Sequence, residues 1–443
     1  MQARRVGVST LGCKVNRFES ELITESLGGS GWLVVDDREE ADIYIINTCT
    51  VTREADRQAR QAVRRAIRRN PSAVVVVTGC YAQISPDAVA AIPGVDHVIG
   101  NDRKLDLDKL LPGLTKQGSP GIMVGDLDRH VSLPDRLLQG YEDQTRAYVQ
   151  VQQGCNQGCT FCIIHRARGP SRSLSPALVK RQVERLAIAG FREIVICGVD
   201  LGSYGEDLAS DAAGSISLTE LLCEICTIDQ DFRIRLSSID PAHITDALVG
   251  LLAENPRLCP HLHLSLQSGN TLVLKRMKRR YDAALVYERI GRLRREVPGL
   301  VLSADLMVGF PTETEAQFQD SVRMVVELGV AYPHVFPYSE RNGTPAARIP
   351  ADRQVPKAVR KARAEVLRDA GRRVRKAMLA SRVGMSARVL VEGGHCPLEG
   401  YQRARAPDYI EAWVPAPTDA AGEWLDVVYE SVNGDALIAR VVG

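Results

Sequence analysis

Arg146-Ala147-Tyr148-Val149-Gln150-Val151, followed closely by Gly154-Cys155-Asn156-Gln157-Gly158-Cys159-Thr160-Phe161-Cys162, is the stretch from which the rest of the chain can be read. The first half has strand character; the second places three cysteines in a C-x₃-C-x₂-C loop directly after it. Thiolates are soft ligands suited to iron–sulfur clusters, and such a cluster takes four ligands, so three local cysteines leave one iron open to something else. A structural zinc site is the competing reading. His165 lies close enough in sequence to be a fourth ligand, although zinc sites normally use paired C-x₂-C units.

The composition frames this loop. At 443 residues the chain is too long for one core and predicts two to three domains. With 45% hydrophobic and 25% charged residues it is an ordinary globular composition. No apolar run approaches the roughly 20 residues of a membrane span, and Met1-Gln2-Ala3-Arg4-Arg5 leads into a strand pattern rather than a signal peptide, which predicts a cytoplasmic protein without membrane partners. Eleven cysteines in a reducing compartment point to metal or redox chemistry. The formal net charge of +2 says little about partners, so local clusters of basic residues carry that question.

Downstream of the cysteine loop, strand candidates at Glu193–Cys197, Phe232–Leu236, His261–Leu266, Val301–Met307 and Tyr332–Tyr338 alternate with helical patterns. With the opening strand they make six βα units and predict a partial (βα)₆ barrel whose chemistry sits at the strand C-terminal ends. Polar signals fall at those ends: Gly198-Val199-Asp200, Ser237-Ser238, Gln267-Ser268-Gly269 and Gly309-Phe310-Pro311. Cys223 and Cys226 form a further C-x₂-C, but on an amphipathic helix where they read as core. A long basic helix over 355–383 follows, then short strands after Gly384 that predict a small β-barrel, a fold type that commonly holds oligonucleotides. Gly400-Tyr401-Gln402-Arg403-Ala404-Arg405 offers stacking and phosphate contacts there.

Upstream, continuous apolar strands at Val6–Thr10, Ala41–Ile46 and Ala73–Val77 alternate with helices at Glu19–Leu27, Glu54–Arg69 and Pro86–Ile92, the pattern of a parallel sheet covered on both faces. Cys13, Cys49 and Cys80 each follow one of these strands. The carboxyl ends of strands in such sheets form the ligand crevice, so the three thiols can converge on a second site. The helix from Arg53 carries Arg57, Arg60, Arg64, Arg65 and Arg68, a face that is either solvated or turned to RNA. Pro112-Gly113, Gly118-Ser119-Pro120-Gly121 and Pro134 mark a linker. The expected organisation is α/β: an N-terminal parallel α/β cluster domain over 1–113, a linker over 114–144, the partial barrel over 145–378 and the small β-barrel over 379–443.

The cysteine loop, with Cys162-Ile163-Ile164, resembles the radical S-adenosylmethionine (SAM) enzymes, in which SAM chelates the fourth iron of a [4Fe–4S] cluster. The whole chain resembles their methylthiotransferase branch, which ends in an RNA-binding TRAM domain. Thr10-Leu11-Gly12-Cys13-Lys14-Val15-Asn16, Asn47-Thr48-Cys49-Thr50 and Thr78-Gly79-Cys80-Tyr81-Ala82-Gln83 are similar to the MtaB-type subfamily, which acts on N6-threonylcarbamoyladenosine beside the anticodon of tRNA. One departure is His165-Arg166, where that subfamily has proline and an aromatic residue.

The resemblance implies two [4Fe–4S] clusters, one on Cys155, Cys159 and Cys162 and one on Cys13, Cys49 and Cys80. The first would donate an electron to SAM and release a 5′-deoxyadenosyl radical that takes hydrogen from C2 of the adenine; the second would carry the sulfur, methylated by a second SAM. By topology, Gly198, Val199, Asp200, Ser238 and Gln267 would line the SAM site, and no acid–base residue is assigned. Partners implied are tRNA, an electron donor such as flavodoxin or ferredoxin, and a sulfur source. Isopentenyladenosine in tRNA or a ribosomal-protein aspartate stay open as substrates, as does an RNA-binding metalloprotein without turnover.

Overall fold

The computed structural model describes residues 4–127, 135–141, 144–208 and 216–442; Met1-Gln2-Ala3 and Pro134 of the expected linker lie outside the described residues. Two compact units are built from interleaved stretches, the first from residues up to 139 with 150–178 and 339–347, the second from 140–149, 179–338 and 348 onward.

The first unit holds a parallel six-stranded sheet of β1 (Arg5–Thr10), β2 (Leu33–Val35), β3 (Ile43–Thr48), β4 (Val74–Gly79), β5 (His97–Ile99) and β6 (Gly121–Met123), in the order β2-β1-β3-β4-β5-β6. Every residue of β3 and β4 is buried, because side chains alternate between two covered faces. Tyr44, Ile46, Val75 and Val77 pack on one side with Ala59, Ala62, Val63 and Ala66 of helix α2 (Arg53–Arg69). Ile43, Ile45, Val74 and Val76 pack on the other with Ile23 and Leu27 of helix α1 (Lys14–Gly29). Helix α2 starts where Thr52 accepts a hydrogen bond from the Ala55 amide at 3.1 Å, with Glu54 and Asp56 in its first turn and Arg68 and Arg69 in its last.

Three expectations are corrected here. Helix α1 begins at Lys14, not Glu19, so Cys13 is its N-cap residue. Cys80 opens the short helix α3 (Cys80–Ile84), separate from the next turn at Pro86–Ala90. Residues 121–123, inside the expected linker, form the edge strand β6. Strands of three residues are too short to carry a periodic signal, and β2, β5 and β6 went unread for that reason.

The chain continues through β7 (Arg146–Gln150) of the second unit, then β8 (Gln152–Gln153) and β9 (Arg172–Ser173), an antiparallel pair of the first unit that flanks the cysteine loop. In the second unit β10 (Glu193–Cys197) and β11 (Arg233–Leu236) join β7 in a three-stranded sheet. The strands β12 (Ser238–Ile239), β13 (His261–Gln267), β14 (Val301–Val308) and β15 (Val330–Pro337) form a parallel four-stranded one. Strand order follows chain order, as the expected partial barrel requires. On the helix Leu218–Cys226 the core face is Leu218, Leu221, Leu222 and Ile225; Cys223 is exposed and Cys226 half-buried, so the reading of both as core is corrected.

After the helix Lys357–Arg382, β16 (Ser386–Glu392), β17 (Tyr401–Arg405), β18 (Glu411–Pro415), β19 (Trp424–Asn433) and β20 (Ala436–Val441) close into a barrel in the order β16-β17-β18-β20-β19. Val389, Val391, Ile410, Val414, Val427 and Leu437 fill it. Its attachment is polar and buried. Arg233 donates to the Arg405 carbonyl at 2.8 Å, and Arg235 to those of Pro407 at 2.9 Å and Ala406 at 3.2 Å, while Glu193 holds both guanidinium groups at 2.7 Å. Burial alone would raise the Glu193 carboxyl, but Arg235 and Arg233 outweigh it and hold it well below its usual range. Cutting the chain at Gly384 would leave Arg233 and Arg235 on Glu193 alone and remove their carbonyl acceptors at Arg405, Ala406 and Pro407, so this barrel cannot be deleted neutrally.

Candidate cluster sites and nucleic-acid surfaces

Cys13, Cys49 and Cys80 stand immediately beyond the C-terminal ends of β1, β3 and β4, where three neighbouring parallel strands deliver them to one edge of the sheet. Burial first, and then the nearby Cys80 and Cys13 sulfurs, push the Cys49 thiol up to about 12. Glycines make room for this convergence. Gly12 has φ +105°, and a Cβ there would lie 2.6 Å from the Cys49 Cβ. Gly79, at φ +92°, would put one 2.4 Å from the Thr48 carbonyl. Both motifs therefore need Leu-Gly-Cys and Thr-Gly-Cys for steric reasons.

Asn16 ties the loops together, donating to the Leu11 carbonyl at 2.7 Å and the Thr48 carbonyl at 3.0 Å. Asn47 donates to the Asn16 carbonyl at 3.1 Å and to Ser20 at 2.9 Å. Beneath Cys80 lies a buried ionic group. Arg168 donates through Nε to the Cys80 sulfur at 3.1 Å, through one terminal nitrogen to Glu19 at 2.5 Å and through the other to Asn16. Lys104 pairs with the same Glu19, which also accepts from Gln153 at 3.0 Å. Burial and then the Arg168 charge pull Lys104 below its ordinary range; burial opposes the Arg168 charge, but Cys80 and Glu19 hold it in place. None of Arg168, Glu19, Lys104 or Asn16 was expected from sequence. The available signal was Glu19 itself, a carboxylate among the inward residues Val15, Phe18 and Leu22 of α1.

The second trio sits in the loop between β8 and β9. Gly154, at φ +75°, passes so close to Pro170 that a Cβ would meet its carbonyl at 1.9 Å. Gln152, fully buried, braces the loop by donating to Gly154 O at 2.8 Å and Ser171 Oγ at 2.9 Å. The Gln157 amide donates to the Cys155 sulfur and the Ile164 amide to that of Cys162, both at 3.3 Å, contacts of the kind that orient metal-bound thiolates. Among the described residues only His263, Asp305 and His334 bring three such donor atoms within 4.8 Å of one another; neither cysteine trio does. Thiolates on one zinc ion, each about 2.3 Å from the metal, would lie closer than that, so the donor set and its spread fit iron–sulfur clusters better than zinc.

The residues expected to meet SAM lie at strand ends of the second unit. Gly198, Val199 and Asp200 follow β10, and Asp200 is buried, its carboxylate 3.1 Å from both Ser203 Oγ and Arg280. Ser238 in β12 is 2.7 Å from Ser265. Gln267 closes β13 at φ +58°, after a register shift from Leu264, a strained conformation for a residue other than glycine.

The basic features sort into spent and free charges. On β17, where phosphate contacts were expected, Arg403 pairs with Glu411 and Arg405 with Glu392 at 2.9 Å, so both cations face a carboxylate in this structure. On the helix Lys357–Arg382, Arg360 is buried against the Tyr338 carbonyl at 2.8 Å and Arg363 against Glu313 at 2.8 Å. Lys357, Lys361, Arg373 and Lys376 are exposed with no acidic partner among the described residues, as are Arg64, Arg65 and Arg68 of α2.

Two families match the chain: the uncharacterized protein family UPF0004 over residues 5–100 and the Radical SAM superfamily over residues 149–325. The threonylcarbamoyladenosine tRNA methylthiotransferase MtaB of Rickettsia prowazekii is 40% identical over 392 residues, 88% of each chain. That of Bacillus subtilis is 41% identical over 345 residues, 78% of this chain and 75% of the relative. Among solved structures, the radical S-adenosylmethionine methyltransferase TsrM of Kitasatospora setae, with cobalamin and a [4Fe–4S] cluster bound, aligns with a TM-score of 0.55 at 16% identity, covering 78% of this chain and 74% of that one, a likeness of fold.

Proposed function

Because the chain belongs to the threonylcarbamoyladenosine tRNA methylthiotransferase family, we propose that it converts N6-threonylcarbamoyladenosine next to the anticodon of tRNA into its 2-methylthio derivative. The observation that carries this reading is likeness at 40% identity over 88% of both chains. Isopentenyladenosine and a ribosomal aspartate are not favoured as substrates, since these relatives are named for threonylcarbamoyladenosine.

The enzyme uses two [4Fe–4S] clusters and SAM. Cys155, Cys159 and Cys162 hold one cluster and Cys13, Cys49 and Cys80 the other, within a cluster domain over 1–113, a SAM domain over 145–378 and a TRAM-like domain over 379–443. When bound, the first cluster supplies the electron that cleaves SAM and the second the sulfur that is inserted. The protein's own part is to hold and shield. Gly154 and Gln152 fix the loop of the first trio, Gly12 and Gly79 let the second trio close, and Gly198, Val199, Asp200, Ser238 and Gln267 line the SAM site, where the strain at Gln267 marks a position held against its preference.

The tRNA is gripped by unpaired cations, Lys357, Lys361, Arg373 and Lys376 in one unit and Arg64, Arg65 and Arg68 in the other, while the target adenine leaves its stack to reach the site. An electron donor of the flavodoxin or ferredoxin type and a sulfur source complete the cycle. The work on tRNA takes place in the cytoplasm; among the described residues no helix is long and apolar enough to cross a membrane. Nucleoside mass spectrometry of tRNA from a strain lacking the gene, with and without a plasmid copy, tests the reading. The 2-methylthio threonylcarbamoyl nucleoside should vanish and return, whereas loss of the isopentenyl counterpart alone would overturn it.

A further inference from the structure

The loop that carries one cysteine trio also sends a side chain to the other. Arg168 follows Cys162 on the helix Ile164–Arg168, yet its guanidinium is 2% exposed and donates through Nε to the sulfur of Cys80 at 3.1 Å. Its remaining nitrogens are fixed by Glu19 at 2.5 Å and by Asn16, the residue that also pins the Cys13 and Cys49 loops. The helix itself is anchored, since Asn101 donates to the Ala167 carbonyl at 2.6 Å. Nothing in this arrangement is adjustable by solvent: the ion pairs to Glu19 are formed by side chains only 1–2% exposed.

Charge is the second, separate observation. Glu19 is shared by two buried cations, Arg168 and Lys104, so among the described residues one positive charge has no carboxylate of its own. An uncompensated buried charge is costly, and among the described residues the Arg168 guanidinium turns its Nε–H to the Cys80 sulfur, where a bound cluster would bring negative charge. An oxidised cubane held by three thiolates carries net negative charge, which is the sign the pocket lacks. The surplus cation is thus placed where reduction adds another electron.

We propose that Arg168 is a positioning residue for the cluster held by Cys13, Cys49 and Cys80, raising its reduction potential through the charge-assisted Nε–H bond to the Cys80 sulfur and locking the two cysteine loops in one register. The proposal rests on the reading that this trio binds a [4Fe–4S] cluster. A hydrogen bond and a positive charge at a ligating sulfur stabilise the reduced state, and the potential of such clusters is set by these terms.

The test is a redox titration, followed by electron paramagnetic resonance, of the full-length, anaerobically reconstituted protein and of Arg168→Gln and Arg168→Lys. Wild type should show two couples. In Arg168→Gln one couple should fall so that its reduction equilibrium shifts about tenfold, about 59 mV for one electron, while the other stays in place. Arg168→Lys, which keeps a buried cation but loses the Nε–H, should fold and give a smaller shift of the same couple. A folded variant that loses about four of about eight irons would also support the role, since the guanidinium would then be needed to seat the cluster. Full iron and two unmoved couples in Arg168→Lys would overturn the proposal, whether or not Arg168→Gln folds. A wild type with only about four irons and one couple would instead overturn the reading of the trio, so the two failures are distinguishable.

Discussion

A single methyl group at Gly12 should empty one cluster site and spare the other. Gly12 sits at φ +105°, where an alanine is strained, and the alanine Cβ would lie 2.6 Å from the Cys49 Cβ and 3.0 Å from its sulfur. Ordinary carbon contacts are about 3.5–4.0 Å, so the Cys49 side chain has to retreat by about 1 Å or the backbone has to turn over. The left-handed backbone costs about 1–2 kcal/mol and the overpacking about 1–3 kcal/mol, together a few kcal/mol concentrated on one ligand. Retreat is blocked, because Cys49 is only 8% exposed and its neighbours Thr48 and Thr50 are fully buried. After anaerobic reconstitution, Gly12→Ala should therefore bind about four irons instead of about eight, still cleave SAM and insert no sulfur. Gly28→Ala is the control: nothing lies within 4 Å of its added Cβ, and α1 should gain a few tenths of a kcal/mol. Eight irons and normal sulfur insertion in Gly12→Ala would show that the thiols do not converge as described.

Three further outcomes follow from the same structure. Changing Cys155, Cys159 and Cys162 together to alanine should leave about four irons and abolish SAM cleavage, whereas the same change at Cys13, Cys49 and Cys80 should keep SAM cleavage and stop sulfur insertion; full iron in either triple variant contradicts the assignment. Replacing Lys357, Lys361, Arg373 and Lys376 by alanine should weaken tRNA binding and flatten the log–log salt slope by about 3, measured by titration across a salt series, and an unchanged slope would remove that helix from the interface. Glu193→Gln should destabilise the second unit by about 3–5 kcal/mol at neutral pH, read from urea unfolding, because Arg233 and Arg235 are left buried without a carboxylate. Since the folded Glu193 carboxyl titrates well below 4.5, this contribution is complete above that pH and is lost only as pH falls through the folded value, so a deficit already gone at about pH 6 would contradict it.

What could be read in advance followed the length of the signal. Helix α2 and strands β3 and β4 carry caps, periodicity and unbroken apolar runs, and they appear where the sequence places them. Each cysteine trio has a positional logic in the sequence, one by local spacing and one by following strands. The three-residue strands were not legible, nor was the partition of charge. Arg403 and Lys376 look alike in a sequence, yet one faces Glu411 across neighbouring strands and the other faces solvent. Arg168 was hidden for a related reason: its partners Glu19, Asn16 and Cys80 are between 88 and 152 positions away, and only the folded chain brings them together.

The central claim is that one chain, with its two cysteine trios, places a methylthio group on threonylcarbamoyladenosine. It is tested most directly by incubating the reconstituted, reduced protein with SAM, a sulfide source and tRNA carrying either threonylcarbamoyladenosine or isopentenyladenosine, then digesting the tRNA for nucleoside mass spectrometry. The 2-methylthio threonylcarbamoyl nucleoside should accumulate with SAM cleavage, and the isopentenyl substrate should stay unchanged. SAM cleavage without any methylthio product on the threonylcarbamoyl tRNA, or product on the isopentenyl tRNA alone, would contradict the account.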